Sequence, residues 1–266
     1  MNRPRLLVRS GALLLALMTE PASAAEAPIC TDRPTKANAV CTVPAGKVQL
    51  EAGAVGWSLT KGGGSRTERL MLGSSLVKVG LTSRSDLQLG FTPYLRSRAK
   101  QDSVAERRSG FGDVLVRYKY RLTLDSAPVQ AGVIPFVILP TARKGLGSGK
   151  VEGGIAVSVS FVVSGPVTVT FGPELDLLAD EDGRGRHVAL VNVVNISTSI
   201  APRLTVAGEI WTNFNFDRGT TAKQASADAA VAYAVAPSLQ LDAGVNLGLT
   251  RETADVEAYA GLSIRF

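Results

Sequence analysis

Apolar and polar residues alternate one by one along most of this chain. From Lys47 to the C-terminus, segments of roughly twelve residues place apolar side chains at every second position and polar ones between them. A period of two is that of a β-strand with one apolar and one polar face. The pattern predicts twelve strands, near residues 47–59, 67–79, 85–96, 111–123, 128–139, 153–163, 167–178, 188–199, 203–215, 225–236, 239–249 and 256–266.

The connectors between these segments differ in length in a regular way. Short turns containing Pro, Ser or Gly alternate with longer polar stretches such as 96–110 and 141–153. Outer-membrane barrels have this asymmetry, with short periplasmic turns and longer extracellular loops. A strand of about twelve residues, at ~3.3 Å per residue and tilted by roughly 45°, rises about 28 Å, enough to cross an apolar band about 25 Å tall. The sequence therefore predicts an all-β fold, a single transmembrane antiparallel up-and-down β-barrel of about twelve strands over residues 47–266.

A soluble β-sandwich or a lipocalin-like barrel is the alternative architecture. The number of strands and the asymmetry of the turns fit it poorly. The ending "DVEAYAGLSIRF" fits it poorly as well, because the alternation continues to an aromatic residue, Phe266, where soluble domains usually carry a frayed polar tail. Phe266 shares the apolar parity of this last strand and is interpreted as a C-terminal assembly signal.

The N-terminal residues predict export. Arg3, Arg5 and Arg9 precede an apolar run at 11–18, which a small-residue cleavage motif at 22–24 follows. We interpret residues 1–24 as a cleaved signal peptide. A retained membrane anchor is the alternative, but the run is shorter than the about 20 residues that a span requires.

Residues 25–46 are predicted to form an N-terminal periplasmic or plug-like segment. They contain the two cysteines of the chain, Cys30 and Cys41. Since the exported compartment is oxidising, a disulfide between these two cysteines is expected.

Composition and motifs argue against several functional classes. The net charge of +6 is spread along the chain, so no nucleic-acid surface is expected. No apolar run after the signal is long enough for a membrane-spanning helix. Without a CxxC motif or a Cys/His cluster, no metal site is predicted, and the glycine-rich loops have no following helix that would bind a phosphate cofactor. The single histidine, His187, has no serine near it in sequence and is interpreted as a solvated loop residue, so neither a catalytic residue nor an enzyme is predicted.

The polar parity of the strands is predicted to line the lumen. The candidate lining residues are Asp113, Arg117, Lys119, Arg121, Glu174, Asp176, Glu209, Asn213, Asp242 and Glu257. Two interpretations stay open for them: a polar conduit whose charges set selectivity, and a packed ionic network that makes a narrow barrel rigid. Arg117, Lys119 and Arg121 form a basic ladder on one strand and are the first candidates to meet an anionic or polar solute.

Two strands depart from strict alternation. In "VQAGVIPFVILP", Ile134, Phe136 and Ile138 lie on the parity expected to face inward, so they are candidates for a hydrophobic inner wall that contacts a solute or the N-terminal segment. Pro135 predicts a bulge or weakened pairing at this place. In "VALVNVVNI" both parities are apolar, and Asn192 is expected on the lumen side.

Particular blocks of sequence also resemble a known family. These are "TDRPTKANAVCTVPAGKVQLEAG", "GLTSRSDLQLGF", "SGFGDVLVRYKYRL", "GVIPFVILPTA" and "GSGKVEGGIAVSVSF". From about Thr31 to the C-terminus the chain is similar to the proteobacterial outer-membrane family named after the MetA pathway of phenol degradation. The resemblance implies an outer-membrane β-barrel associated with the passage of small, often aromatic molecules, without a catalytic motif. The paired cysteines are not a general feature of that family.

The expected function is passive uptake of small, hydrophobic or aromatic solutes across the outer membrane of a Gram-negative cell. A non-transporting barrel, structural or partner-binding, is the alternative. The expected partners are outer-membrane lipid, the barrel assembly machinery during biogenesis and an unidentified small solute. No cofactor is predicted.

Overall fold

The computed structural model describes residues 28–219 and 221–266, so the predicted signal peptide, residues 1–24, lies outside the described residues. Fifteen β-strands form one antiparallel sheet. In chain order the strands are β1 (Val48–Gly62), β2 (Ser65–Thr82), β3 (Ser85–Phe91), β4 (Tyr94–Gln101), β5 (Val104–Gly110), β6 (Val114–Arg121), β7 (Val129–Leu139), β8 (Glu152–Ser164), β9 (Val167–Phe171), β10 (Glu174–Ala179), β11 (Arg186–Ala201), β12 (Leu204–Phe216), β13 (Thr221–Ala236), β14 (Leu239–Gly248) and β15 (Val256–Arg265).

The sheet closes into a barrel of twelve strands. The closure lies at β1, which pairs on one side with β2 and on the other with β15. In three cases, β3 with β4, β5 with β6 and β9 with β10, two consecutive strands do not pair with each other. They follow one another along the same position in the sheet, so each couple counts as one strand of the barrel. The ring itself passes from β2 through β3 to β6, while β4 and β5 continue as a hairpin beyond it. The predicted fold class is confirmed.

Two interruptions of the long strands fall at prolines. Pro93 separates β3 from β4, and Pro173 separates β9 from β10. Proline has no backbone N–H to donate to a neighbouring strand, so the ladder is interrupted there. At Pro135, in contrast, β7 keeps its register, although the pairs with β6 are missing between Arg117–Phe136 and Tyr120–Val133.

The prediction that residues 96–110 form a polar connector is wrong. These residues form most of the β4–β5 hairpin, with Leu95 opposite Gly110 and Gln101 opposite Val104. Both faces of this hairpin are polar because it extends past the apolar band, where both faces meet water. Alternation between apolar and polar residues therefore does not reveal it as a strand.

Burial in the barrel is inverted relative to a soluble protein. In β14, Leu247 is 51% exposed, whereas its neighbour Asn246 is 5% exposed. The same inversion appears in β3, where Leu87 and Leu89 are exposed and Gln88 is buried. An apolar outer face around a polar interior is the arrangement of a transmembrane barrel, whose outer face contacts lipid. Nowhere in residues 28–219 and 221–266 is there a helix of the length and hydrophobicity needed to cross a bilayer.

The two ends of the barrel carry different connectors. The start of β1 and the end of β15 lie at the end with the turns 83–84, 165–166, 202–203 and 237–238, and this is the periplasmic end. The connectors 140–151, 180–185, 217–220 and 249–255 lie at the opposite, extracellular end. Tight two-residue turns also occur there, because β1–β2 and β4–β5 extend outward as long hairpins; at Gly63 and Gly64 the backbone has φ of 54° and 79°.

The sequence predicts that Asn192 of β11 faces the lumen, and this prediction is wrong. Asn192 pairs with Thr212, whereas the neighbouring pairs Val191–Asn213 and Val193–Trp211 share the inward face with Glu209. Asn192 is exposed on the outer face. The inner face of β11 is apolar at Ala189 and Val193, which are buried, so polarity does not distinguish the two faces of this strand.

Candidate solute pathway through the barrel

Residues 28–46, here called the inner segment, lie inside the barrel. The segment enters at the periplasmic end, where the backbone N–H of Ile29 donates to the carbonyl of Pro237 at 2.7 Å. It rises into the lumen and then returns toward the start of β1. A disulfide between Cys30 and Cys41 joins its rising and returning parts. The inner segment is therefore a loop whose two arms are covalently linked.

Asp32 lies at the centre of a buried ionic cluster. Its carboxylate oxygens are each 2.6 Å from a lysine Nζ, that of Lys78 in β2 and that of Lys119 in β6. Glu51 in β1 pairs with Lys78 and accepts the backbone N–H of Asp32 at 3.1 Å. Arg117 is 3.6 Å from the same aspartate. Both lysines are 1% exposed, so their charges persist only because carboxylates compensate them.

Two further cations of the inner segment reach the opposite wall. The Arg33 guanidinium donates to both oxygens of Asp242 in β14, at 2.7 and 3.2 Å. Lys36 Nζ is 2.7 Å from Asp228 in β13, and the backbone N–H of Lys36 donates to Glu209 in β12 at 2.8 Å. The inner segment is thus held by charged contacts on both sides of the lumen.

The returning arm packs closely against β2 and β3. The backbone N–H of Val43 donates to Asp86 at 2.9 Å, and that of Gly46 donates to the carbonyl of Gly80 at 2.9 Å. At Gly80 a Cβ atom would lie 2.0 Å from the carbonyl oxygen of Pro44. Only glycine permits this approach of two backbones, because any side chain would overlap the inner segment.

A cavity of about 770 Å³ lies above the inner segment. Its floor is formed by inner-segment residues that include Asp32 and Lys36, and residues 147–148 of the extracellular connector lie at its rim. The wall combines apolar and charged side chains. The apolar ones are Leu76, Phe91, Leu115 and Ile138, and the charged ones from the strands and adjoining residues are Glu51, Asp113, Arg117, Glu152 and Glu174.

The predicted hydrophobic inner wall faces inward as expected from its parity. Ile138 lines the cavity, and Ile134 is 1% exposed. Phe136 lies beside Gly154 of β8. A Cβ atom added to Gly154 would lie 2.8 Å from the Phe136 ring and 2.6 Å from Oδ1 of Asp176. Gly154 therefore provides the space in which Phe136 and Asp176 meet. In the described part of the chain that Asp176 oxygen is buried without a hydrogen-bond partner.

The predicted basic ladder is divided among three environments. Lys119 is covered by the inner segment and bound to Asp32. Arg121 lies at the periplasmic end, where it pairs with Asp125 of the turn. Arg117 alone lines the cavity, and its guanidinium donates to the side chain of Asn38. The three side chains do not form one continuous cationic track.

The other polar candidates fall into three groups by their contacts. Asp113 and Glu174 line the cavity, and Asp113 also accepts the backbone N–H of Ala142 at 2.9 Å. Glu209 and Asp242 bind the inner segment, as described above. Asn213 donates to Gln224 at 3.2 Å, and Glu257 accepts from Asn246 at 2.8 Å, so these two contact neighbouring strands instead.

Sequence reasoning missed the residues that the inner segment brings into the lumen. Asp32, Arg33 and Lys36 lie in the block "TDRPTK", whose sequence predicts no role for these side chains. Lys78, which shares its parity with inward-facing Leu76, was also missed. Trp211 has the parity of Glu209, and Lys36 Nζ lies 4.8 Å from the centre of its ring. Parity alone could have identified Lys78 and Trp211.

One cluster at the extracellular end has the composition of a metal site. Asp180, His187 and Asp217 place ligand atoms within 4.8 Å of one another. His187 is buried at the start of β11 rather than solvated in a loop, and its Nδ1 lies 2.9 Å from Asp180. The backbone N–H groups of Gly219 and Glu181 donate to Asp217 and lower the pKa of its carboxyl group. These hydrogen bonds join the connectors 180–185 and 217–220; that no metal binds stays a prediction.

Phe266 lies at the end of the closing strand. Its backbone N–H donates to the carbonyl of Val48 at 2.8 Å, and its side chain is exposed outside the lumen. On the inner face of the same strand, Ser263 and Arg265 are buried. The last strand thus has the two faces that its sequence predicts.

Comparison with solved structures shows the same fold in other outer-membrane proteins. The COG4313 outer membrane channel from Pseudomonas putida F1 aligns with a TM-score of 0.68 and 14% identity, over 88% of this chain and 100% of that chain. The translocator domain of the autotransporter NalP from Neisseria meningitidis aligns with a TM-score of 0.53 and 11% identity, over 84% of this chain and 90% of that chain. At these identities the likeness establishes the fold alone. No curated protein matches the sequence.

The sequence itself identifies the family. Residues 31–266, which include most of the inner segment and every strand of the barrel, match the family described as "Putative MetA-pathway of phenol degradation". The resemblance of the sequence blocks is confirmed by this match. The chain belongs to that outer-membrane β-barrel family.

Proposed function

We propose that this protein is a channel for the passive uptake of small solutes across the outer membrane. The observation that carries the proposal is the cavity of about 770 Å³ inside the barrel. It lies between the extracellular connectors and the inner segment, so a solute entering from outside would reach it first. A volume in this range matches the usual size of small-molecule sites, about 300–1,000 Å³.

The lining favours solutes that combine an apolar body with a polar group. Leu76, Leu115 and Ile138 offer apolar contacts, while Arg117 and Glu174 offer charge on the same cavity. Small aromatic molecules that carry a hydroxyl or carboxylate have this combination. A purely hydrophilic solute would contact the apolar residues without gain.

The inner segment acts as the constriction of this pathway. It contacts β2 and β6 on one side through Asp32 and β13 and β14 on the other through Lys36 and Arg33. Passage to the periplasm therefore needs a shift of the inner segment or a narrow route beside it. Residues 1–24 would serve as the export signal, and the exposed Phe266 as the residue that the assembly machinery binds.

No catalytic role is proposed. The single histidine is engaged by two aspartates at the extracellular end and is not placed beside a nucleophile. The solved structures compared above are a channel and a translocator domain rather than enzymes.

A non-transporting barrel is the second candidate. The observation that favours it is the number of buried ion pairs that hold the inner segment, since breaking them is costly. In such a barrel the ionic network would serve stability, and the extracellular connectors would be the functional surface.

Liposome swelling separates the two candidates. We expect swelling with small aromatic alcohols or carboxylates, slower swelling with monosaccharides, and several-fold slower passage in an Ile138→Trp variant that fills the cavity. Ile196→Trp is the matched control, because Ile196 is exposed on the outer face and a larger side chain there leaves the lumen unchanged. A folded barrel that passes none of the solutes would support the non-transporting candidate. Equal rates for both variants would show that solutes do not use this cavity.

A further inference from the structure

The outward face of the extracellular hairpins changes abruptly from apolar to basic. Cross-strand pairing places Leu72 opposite Tyr94 and, two residues further out, Leu70 opposite Arg96. The next outward pair is Glu68 opposite Arg98, and Arg98 is in turn opposite Arg107 of β5. The following pair, Arg66 with Lys100, completes the face. We call Arg66, Arg96, Arg98, Lys100 and Arg107 the basic patch.

The basic patch has far more positive charge than its own carboxylates neutralise. Its face carries one acidic residue, Glu68, which binds Arg66. The nearby Glu106 has the opposite parity on β5 and pairs with Arg108, which also donates to the carbonyl of Gly145. In the described residues, Arg96, Arg98 and Arg107 form no salt bridge of their own.

Like charges lie directly opposite one another in this patch. Arg98 and Arg107 are cross-strand partners, an arrangement that is destabilising unless an anion lies between them. Arg96, Arg98 and Arg107 line a surface hollow of about 380 Å³ together with Glu68 and Glu106, whose carboxylates pair with Arg66 and Arg108. A hollow of this size accommodates a phosphate group, and arginine binds phosphate through two parallel hydrogen bonds.

The height of the patch fits the headgroup layer of the membrane. Two residues separate Leu70 from Glu68 along β2, which at ~3.3 Å per residue and a tilt of roughly 45° is a rise of about 5 Å. The polar layer of a bilayer is about 5–7 Å thick on each side. Outward Trp57 pairs with Leu70, so an aromatic residue lies at the boundary, as is usual at a membrane interface.

We infer that the basic patch binds the phosphorylated diglucosamine headgroup of lipopolysaccharide, the glycolipid of the outer leaflet. The patch faces outward at the extracellular end, directly above the lipid-contacting surface, so a bound phosphate would come from a molecule anchored in that leaflet. Its acyl chains would cover the apolar residues below the patch while its phosphates lie between Arg98 and Arg107. The inference rests on the outer-membrane fold and is independent of what the lumen transports.

Native mass spectrometry of the full chain in a non-ionic detergent tests this site with bisphosphorylated lipid A as the probe. We expect a one-to-one adduct and at least tenfold weaker binding in the Arg98→Gln/Arg107→Gln variant. The matched control is Arg184→Gln/Arg218→Gln, which removes the same charge from exposed connector residues elsewhere at the extracellular end. Binding by the control within about twofold of the unmodified chain supports the site, because general electrostatic attraction would weaken both variants alike.

Three results would overturn the inference. They are absence of the adduct with the unmodified chain, equal loss of binding in the two double variants, and phosphatidylglycerol binding as tightly as lipid A. Heat-modifiable migration on a detergent gel verifies that each variant is a folded barrel. Should the double variant not fold, Arg107→Gln alone is used, because Arg107 is exposed on β5, which pairs only with β4.

Discussion

Replacing Asp32 with asparagine should loosen the inner segment while leaving the barrel closed. The substitution keeps the size of the side chain and removes one negative charge from between Lys78 and Lys119. Lys78 retains Glu51, but Lys119 retains only the carbonyl of Ala39, at 2.8 Å. Lys119 thus becomes a buried cation that has no salt bridge within residues 28–219 and 221–266.

The size of the effect follows from these distances. At 2.6 Å and an effective dielectric constant of about 20, each lysine–aspartate attraction is worth about 6 kcal/mol before the cost of desolvation is subtracted. Measured losses on removal of one partner of a buried pair are about 3–5 kcal/mol. At about 1.4 kcal/mol per factor of ten, the equilibrium constant for undocking the inner segment should rise at least about a hundredfold.

Hydrogen exchange measures that equilibrium directly. The backbone N–H groups of Lys36, Ala37 and Val43 donate to carboxylates of the barrel wall, so their exchange rates report opening of the inner segment. We expect faster exchange at these amides in Asp32→Asn and unchanged exchange in the strands.

Two comparison variants make the result specific. Glu106→Gln removes a carboxylate from an exposed pair with Arg108, which contributes little, and should leave the inner segment unchanged. Lys119→Met combined with Asp32→Asn removes the unpaired charge and should recover much of the protection. If a folded Asp32→Asn barrel exchanges these amides at the original rate, the ionic cluster does not hold the inner segment in place.

The remaining predictions concern the covalent and steric restraints on the inner segment. Replacing Cys30 and Cys41 with serine frees its two arms, so we expect faster hydrogen exchange over residues 30–41 and a higher single-channel conductance; unchanged conductance would show that the disulfide does not limit the pathway. In Gly80→Ala the new Cβ would overlap the carbonyl of Pro44, which should displace the returning arm and lower the melting temperature. Gly62→Ala, where a Cβ meets nothing within 4 Å, is its control, and equal melting temperatures for the two variants would contradict the assigned packing.

The strands could be predicted from sequence because successive side chains of a membrane strand face lipid and lumen in turn. A side chain on a membrane strand faces either lipid or lumen, so the alternation in β14, with Leu247 outside and Asn246 inside, is visible in a single sequence. The rule fails where its physical cause is absent. Beyond the apolar band, residues such as Arg98 and Arg107 have no lipid chains against them, and alternation does not reveal the β4–β5 hairpin.

The contents of the lumen could not be predicted in the same way. Asp32 meets Lys119 across 87 residues of chain, and Lys36 meets Asp228 across 192. Periodicity carries no information about such distant pairs. The sequence pattern could show that Lys119 faces inward, but not that a charge from the N-terminal segment neutralises it there.

The path of the inner segment has a consequence for the order in which the molecule is assembled. Thr31 meets Ser263 of the last strand at 2.9 Å, and Asp32 meets Glu51 of the first, so these neighbouring residues contact both sides of the junction where the cylinder closes. The two contacts exist together only when β15 has reached β1. The inner segment, which precedes β1 in the chain, can therefore take its final position only when the last strand arrives, and it then fastens the closure from within.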